Sequence, residues 1–213
     1  MNLRTEKYLS QVKQWPAEGK HIMAQYDDEA IVVYQAYRES IGRYAVDHQC
    51  FGGEFSYQRM TWIKHNFLWM MYRSGWGTKP GQEVILAIKL KKHVFDDFLT
   101  HAVASSFGQS AFNDHAAWQQ AVADSDVRLQ WDPDHDPFGA KQARKAIQLG
   151  IRGTKLEPLK GEGIIEIKDI SPFVAEQRQT LEKRPLNELM MPAETVYVPD
   201  CEAAINNIRQ DRV

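Results

Sequence analysis

The sequence predicts an α+β protein, and three observations lead there. Two β-branched and aromatic runs, IVVYQAY at 31–37 and VILAIKL at 84–90, read as core strands. Between such runs lie segments whose apolar residues recur at helical spacing, as with Phe95, Phe98, Leu99 and Ala102. Connections between the elements vary in length, which fits short strands mixed with a few helices better than a repeated βαβ unit.

In chain order, Leu3, Leu9 and Val12 share one face of a short leading helix that Pro16 and Gly19 stop. After the strand at 31–37, residues 39–50 read as a helix with Ile41, Ala45 and His48 on one side, ended by Gly52 and Gly53. A short strand is expected at 59–63. Residues 67–72 (FLWMMY) are too uniformly apolar for a surface element and read as a buried helix. Gly75, Gly77, Pro80 and Gly81 mark a loop, and the strand at 84–90 follows. Helices are expected at 94–104 and at 114–122, the latter capped by Asn113 or Asp114. Residues 127–131 alternate as a strand, 132–137 read as a proline-fixed turn, and 139–146 as one or two helical turns. Strands at 147–151 and 164–170 precede a helix opened by Ser171 and Pro172. A last helix at 203–209 follows Asp200. We read one domain over 1–213, with its core at about 20–182 and a C-terminal extension at 183–213.

Composition narrows the function classes. The chain has 213 residues, 43% hydrophobic and 25% charged, with a net charge of −2. That balance argues against a protein living on nonspecific phosphate contacts. Cys50 and Cys201 are far apart and lack metal-ligand spacing, so a disulfide framework is not expected and the cytoplasm is the default compartment. The N-terminus has no apolar signal core, and no apolar run approaches the ~20 residues of a membrane span. No GxSxG, P-loop, GxGxxG or HExxH occurs. The turn 132–137 places Asp132, Asp134 and Asp136 at alternate positions like the start of a calcium loop. Pro137 and Ala143 stand where that loop needs Gly and Glu.

The most informative stretch is 59–79, RMTWIKHNFLWMMYRSGWGTK. It holds three of the six Trp and three Met beside Arg59, Lys64, Arg73 and Lys79. Fixed cations beside aromatic surface suit a pocket for an anionic, flat-ringed ligand. A buried helix with cations snorkelling at its ends is the competing reading. On the pocket reading, aromatic rings sandwich a heterocycle and Arg59, Lys64 or Arg73 holds a phosphate. Tyr34 and Gln35 on the first strand complete the cleft. Glu83, just before the 84–90 strand, and Asp132, at a strand end, are the carboxylates placed to border it. Such a carboxylate stabilises a ribosyl cation or orients a ribose hydroxyl.

The blocks at 31–37, 59–76, 81–88, 127–136 (VRLQWDPDHD) and 144–153 (RKAIQLGIRG) resemble domain-of-unknown-function family 4291 over roughly residues 20–175. Where that family shows an Arg-containing segment and a Pro-Ser pair, this chain has residues 20–24 and His65-Asn66. The resemblance therefore gives His65 and Asn66 no shared role. The order of elements is also remotely similar to ADP-ribosyltransferase-like folds. That similarity implies two small, mainly antiparallel sheets forming a split sandwich with flanking helices. NAD is then the substrate, gripped between the sheets, and ADP-ribose passes to a nucleic-acid, protein or small-molecule acceptor. Tyr34 and Gln35 then face the nicotinamide ribose, Trp62 and Tyr72 flank the nicotinamide, and Arg73 and Ser74 lie near phosphate and ribose. Glu83, Asp132 and Arg73 become the catalytic candidates. The chain lacks the Ser-Thr-Ser strand and the late Glu-x-Glu or Gln-x-Glu pair of those enzymes. A noncatalytic nucleic-acid-binding module, stacking bases on the same aromatics, is the alternative.

Overall fold

The two strongest strand runs pair with each other and form the spine of the molecule. In the computed structural model, which describes residues 3–183 and 185–209, the elements follow in order. They are β1 (Thr5–Lys7), α1 (Tyr8–Gln11), β2 (Gly19–Lys20), β3 (Ile22–Ala24), β4 (Ala30–Tyr37), α2 (Glu39–His48), β5 (Thr61–Lys64), α3 (Phe67–Ser74) and β6 (Val84–Lys91). Then come α4 (Lys92–His101), β7 (Ala102–Ala104), α5 (His115–Asp124), β8 (Val127–His135), β9 (Lys141–Ile151) and β10 (Ile164–Asp169). The chain closes with α6 (Ser171–Lys183), β11 (Met190–Pro192), β12 (Thr195–Tyr197) and α7 (Glu202–Ile208). None of the described helices is long and apolar enough to cross a membrane.

The architecture is α+β. The two separate small sheets expected from the sequence are instead the two halves of one eight-stranded sheet, ordered β10-β6-β4-β5-β9-β8-β7 with β2 added beside β9. Two two-stranded ladders, β1 with β11 and β12 with β3, flank it. The halves meet at a narrow seam. β4 pairs with β6 along its whole length, but with β5 only through Tyr34 opposite Lys64. Beyond that pair the strands part, and the Gln35 side chain bridges the gap, donating from Nε2 to Thr61 Oγ1 at 2.7 Å and Trp62 O at 3.3 Å.

Each face of the sheet has its own core. Ile31, Val33, Ile63, Leu129, Trp131, Ile147 and Leu149 pack with Phe95, Phe98 and Leu99 of α4. On the opposite face Val32, Tyr34, Ile85 and Ala87 pack under Phe67, Leu68 and Met71 of α3 and Val174 of α6. This second cover spans the β4–β6 half and stops near β5, which leaves the β5-β9-β8 half of that face for polar side chains.

Several local expectations change. The leading helix shrinks to one turn after a three-residue strand, because β11 pairs with that segment. The helix expected to reach 104 ends at His101, where Ala102 starts a strand parallel to β8. Residues 132–135 extend β8 rather than forming a turn, with Pro133 at a bulge where no ladder donor is required. The turn moves on to 136–139. There Asp136 Oδ1 accepts the Phe138 and Ala140 amides, each at 2.9 Å, and Gly139 takes φ 84°. Residues 141–146 are good helix formers, yet antiparallel pairing with β8 makes them the start of β9. Beyond residue 183 the chain packs back on the core, burying Leu189, Met191 and Tyr197.

Candidate functional site

The buried apolar helix α3 is fixed at both ends. Asn66 accepts the Trp69 amide at 2.7 Å, and the Glu194 carboxyl accepts the Phe67 amide at 2.7 Å. Full burial raises Glu194 well above the usual carboxylate range, which favours the neutral acid at this cap. At the far end Gly75 adopts φ 59° and closes the helix. Helical spacing then sorts the side chains. Phe67, Leu68 and Met71 point into the core, Met70 and Arg73 face the seam, and Trp69 and Tyr72 lie on the flank toward His135.

Beside Met70 and Arg73 lies a cleft of about 430 Å³ where β4 and β5 diverge. Its size is that of a small-molecule site. Trp62 and Lys64 reach it from β5, Gln148 from β9 and Gln130 from β8. Strand pairing sets these four side by side, because Trp62 opposes Gly150 and Lys64 opposes Gln148, which opposes Gln130. Gly150 matters for shape. A Cβ there would lie 2.6 Å from Met60 Sδ and 3.0 Å from Trp62 Cε2, so glycine lets the indole lie against the sheet.

Electrostatically the cleft holds a cation pair, with a carboxylate fixed behind two of its lining glutamines. Asp132 accepts Gln130 Nε2 at 2.9 Å and Gln148 Nε2 at 2.8 Å. Lys64 is 4% exposed, and among the described residues its Nζ makes only a long contact of 3.4 Å to Trp62 O. Burial, with Arg73 adding to it and Asp132 opposing both, pushes the Lys64 pKa down to about 8. Gln35 is buried in the cleft wall with its Nε2 bonded, while its Oε1 meets no donor among the described residues. That atom is an acceptor available to a ligand N–H or O–H.

Of the candidates from the sequence, Gln35, Trp62, Lys64 and Arg73 converge here, and Asp132 joins them through the two glutamines. The others lie elsewhere. Tyr34 is wholly buried under α3, edge-on to Phe67 at 5.6 Å, because β4 alternation sends it to the covered part of the face. Ser74 is buried and turned back to Met70 O at 2.9 Å, where it shapes the helix end. Tyr72 stacks on His135 at 3.7 Å and lines a separate groove with Trp76 and Phe138. Arg59 is exposed in the loop before β5, away from the cleft lining. Glu83 is exposed and accepts the Gly81 amide at 2.8 Å, so its neighbour Gln82 reaches the cleft instead.

Gln82, Gln130 and Gln148 were not singled out from the sequence. For Gln130 and Gln148 the signal is present in Leu129-Gln130-Trp131-Asp132 and Ile147-Gln148-Leu149, where polar residues alternating with core residues mark a face that the apolar core does not cover.

The Asp-rich segment is resolved differently from a metal loop. Asp134 is buried and paired with Arg144, whose Nε and Nη2 donate to Oδ2 at 2.9 and 2.6 Å. Arg144 also donates to Pro16 O at 2.7 Å and lies 4.9 Å over the Trp15 ring. These contacts lock the N-terminal segment onto β9.

A family model described as Domain of unknown function (DUF4291) matches residues 21–197. The chain belongs to this family. The match runs past 175, so the DUF4291 unit includes β11, β12 and the Glu194 cap of α3 as well as every cleft residue. A search among curated proteins gives no significant match.

Proposed function

We propose that this DUF4291 protein is a nucleotide-binding enzyme that takes NAD and transfers its ADP-ribose. The observation that carries the reading is the convergence of Trp62, Lys64 and Arg73 on one open cleft, with the Asp132 carboxylate held behind its Gln130 and Gln148 wall. Trp62 supplies a face for the nicotinamide ring. Lys64 and Arg73 hold the diphosphate, with the guanidinium able to do so through two parallel bonds. The four amides of Gln35, Gln82, Gln130 and Gln148 offer donors and acceptors to ribose and carboxamide groups. In the reaction the bond from ribose C1 to the ring nitrogen breaks, the electron pair leaves with nicotinamide, and cationic character develops at C1. Asp132 is the carboxylate available to stabilise that charge, and the acceptor nucleophile closes on C1.

A noncatalytic nucleic-acid module would use the same rings and cations. The small volume of the cleft and the net charge of −2 favour a single nucleotide over a strand-long track. The test is thermal denaturation with and without NAD, followed by chromatography for released nicotinamide. Stabilisation and slow nicotinamide release are expected. Oligonucleotide binding without any response to NAD would overturn the reading.

A further inference from the structure

We propose that Lys64 is a covalent nucleophile, whose ε-amine condenses with the free C1 aldehyde of a ribose-bearing nucleotide in the cleft to form an imine. The proposal rests on the nucleotide reading above and adds to it a reaction at one named atom.

Holding phosphate calls for the charged ammonium, and burial beside a second cation works against that form. Lys64 is almost fully enclosed, faces the cleft next to Arg73, and has no ion pair among the described residues. The carboxylate that would neutralise it, Asp132, is occupied instead by Gln130 and Gln148. Lys92 shows the contrast: it pairs with Asp200 at 2.8 Å, and the bond raises its pKa. Desolvation beside another cation is how proteins keep a lysine amine unprotonated and reactive. The lowered pKa of Lys64 agrees with that geometry.

The ligand class follows from the reaction proposed for the cleft. Where water is the acceptor, ADP-ribose leaves with a free C1 hydroxyl, and its ribose ring opens to an aldehyde. The Lys64 nitrogen adds to that carbon, forming a C–N bond, while one amine proton passes to the carbonyl oxygen. The resulting hydroxyl takes the second amine proton and leaves as water as the C=N bond forms. Both nitrogen protons depart on the oxygen, and no oxidant or reductant is consumed. Gln130, Gln148 and Asp132 supply a polar wall against the departing water.

The test uses the full-length protein with ADP-ribose and cyanoborohydride near neutral pH, followed by peptide mass mapping. Cyanoborohydride reduces an imine to a stable secondary amine. Lys64 should carry about two orders of magnitude more neutral amine than an ordinary lysine at that pH. Labelling should therefore concentrate on Lys64, at least ~10-fold faster than at the exposed Lys13 and Lys141. ADP, which lacks C1 of the second ribose, should give no adduct and should protect Lys64. Lys64→Arg should lose the adduct. Binding of ADP-ribose without a Lys64 adduct, or labelling spread over the exposed lysines, would overturn the covalent role while leaving the nucleotide reading standing. Absence of binding would sink both.

Discussion

Replacing Lys64 by Met should make the fold more stable while weakening its grip on anions. The folded chain holds the Lys64 proton with a pKa of about 8, against 10.5 for a free lysine, chiefly through burial and secondarily through Arg73. That gap corresponds to ~3 kcal/mol working against folding near neutral pH. Because the folded value lies below the unfolded one, the cost is full below pH 8 and fades as the pH rises toward 10.5. Met keeps the length and removes the charge, so packing should change little. The stability difference between Lys64→Met and wild type should be ~3 kcal/mol at neutral pH, ~2 near pH 9 and under ~1 near pH 10. The buried phenols of Tyr34, Tyr37 and Tyr197, all raised by burial, are common to both proteins and cancel in the difference. Urea denaturation followed by tryptophan fluorescence across this range gives the comparison. A variant less stable than wild type, or a difference that stays flat with pH, would refute the claim that Lys64 is held against its charge.

Other substitutions test the parts that position the cleft. Arg144→Met strands the buried Asp134 and should cost about 3–5 kcal/mol by the same denaturation assay. Asp134→Asn with Arg144→Met should recover part of that loss. Glu194→Gln should cost under ~1 kcal/mol, because burial favours the neutral acid that the amide mimics at this cap. A larger loss would show that it is ionised. Gly150→Ala should lift Trp62 off the sheet, lowering NAD affinity at least ~10-fold while costing only ~1–3 kcal/mol of stability. Calorimetry and denaturation on the same preparation separate the two effects.

Where local pattern and tertiary role agree, the sequence was readable. The runs that became β4 and β6 are apolar on both faces because helices cover both, and the helical spacing of Phe95, Phe98 and Leu99 matches one buried stripe of α4. It failed where pairing with a distant segment decided the outcome. Lys141 to Ala146 favour a helix on propensity, and only the ladder with β8 makes them a strand. The cleft was half legible. Trp62, Lys64 and Arg73 were visible as cations beside rings, since their separation spans one short strand and two helical turns. Tyr34 and Tyr72 looked equivalent to them in composition. Only strand alternation fixed against a real partner, and the rotation of α3 about its axis, send one into the core and the other to the His135 flank. The glutamines of β8 and β9 carry no charge and no motif, so nothing but their alternation with core residues announced them.

The central claim is that Trp62, Lys64 and Arg73 form one nucleotide site. Isothermal titration calorimetry of ADP-ribose binding to wild type, Trp62→Ala and Arg73→Ala tests it directly. Each substitution should cost about 1–3 kcal/mol of binding, the first by removing the stacking face and the second by removing a phosphate contact, with the fold intact by circular dichroism. Wild-type affinity retained in both variants, or no binding to the wild-type protein, would contradict the assignment of this cleft.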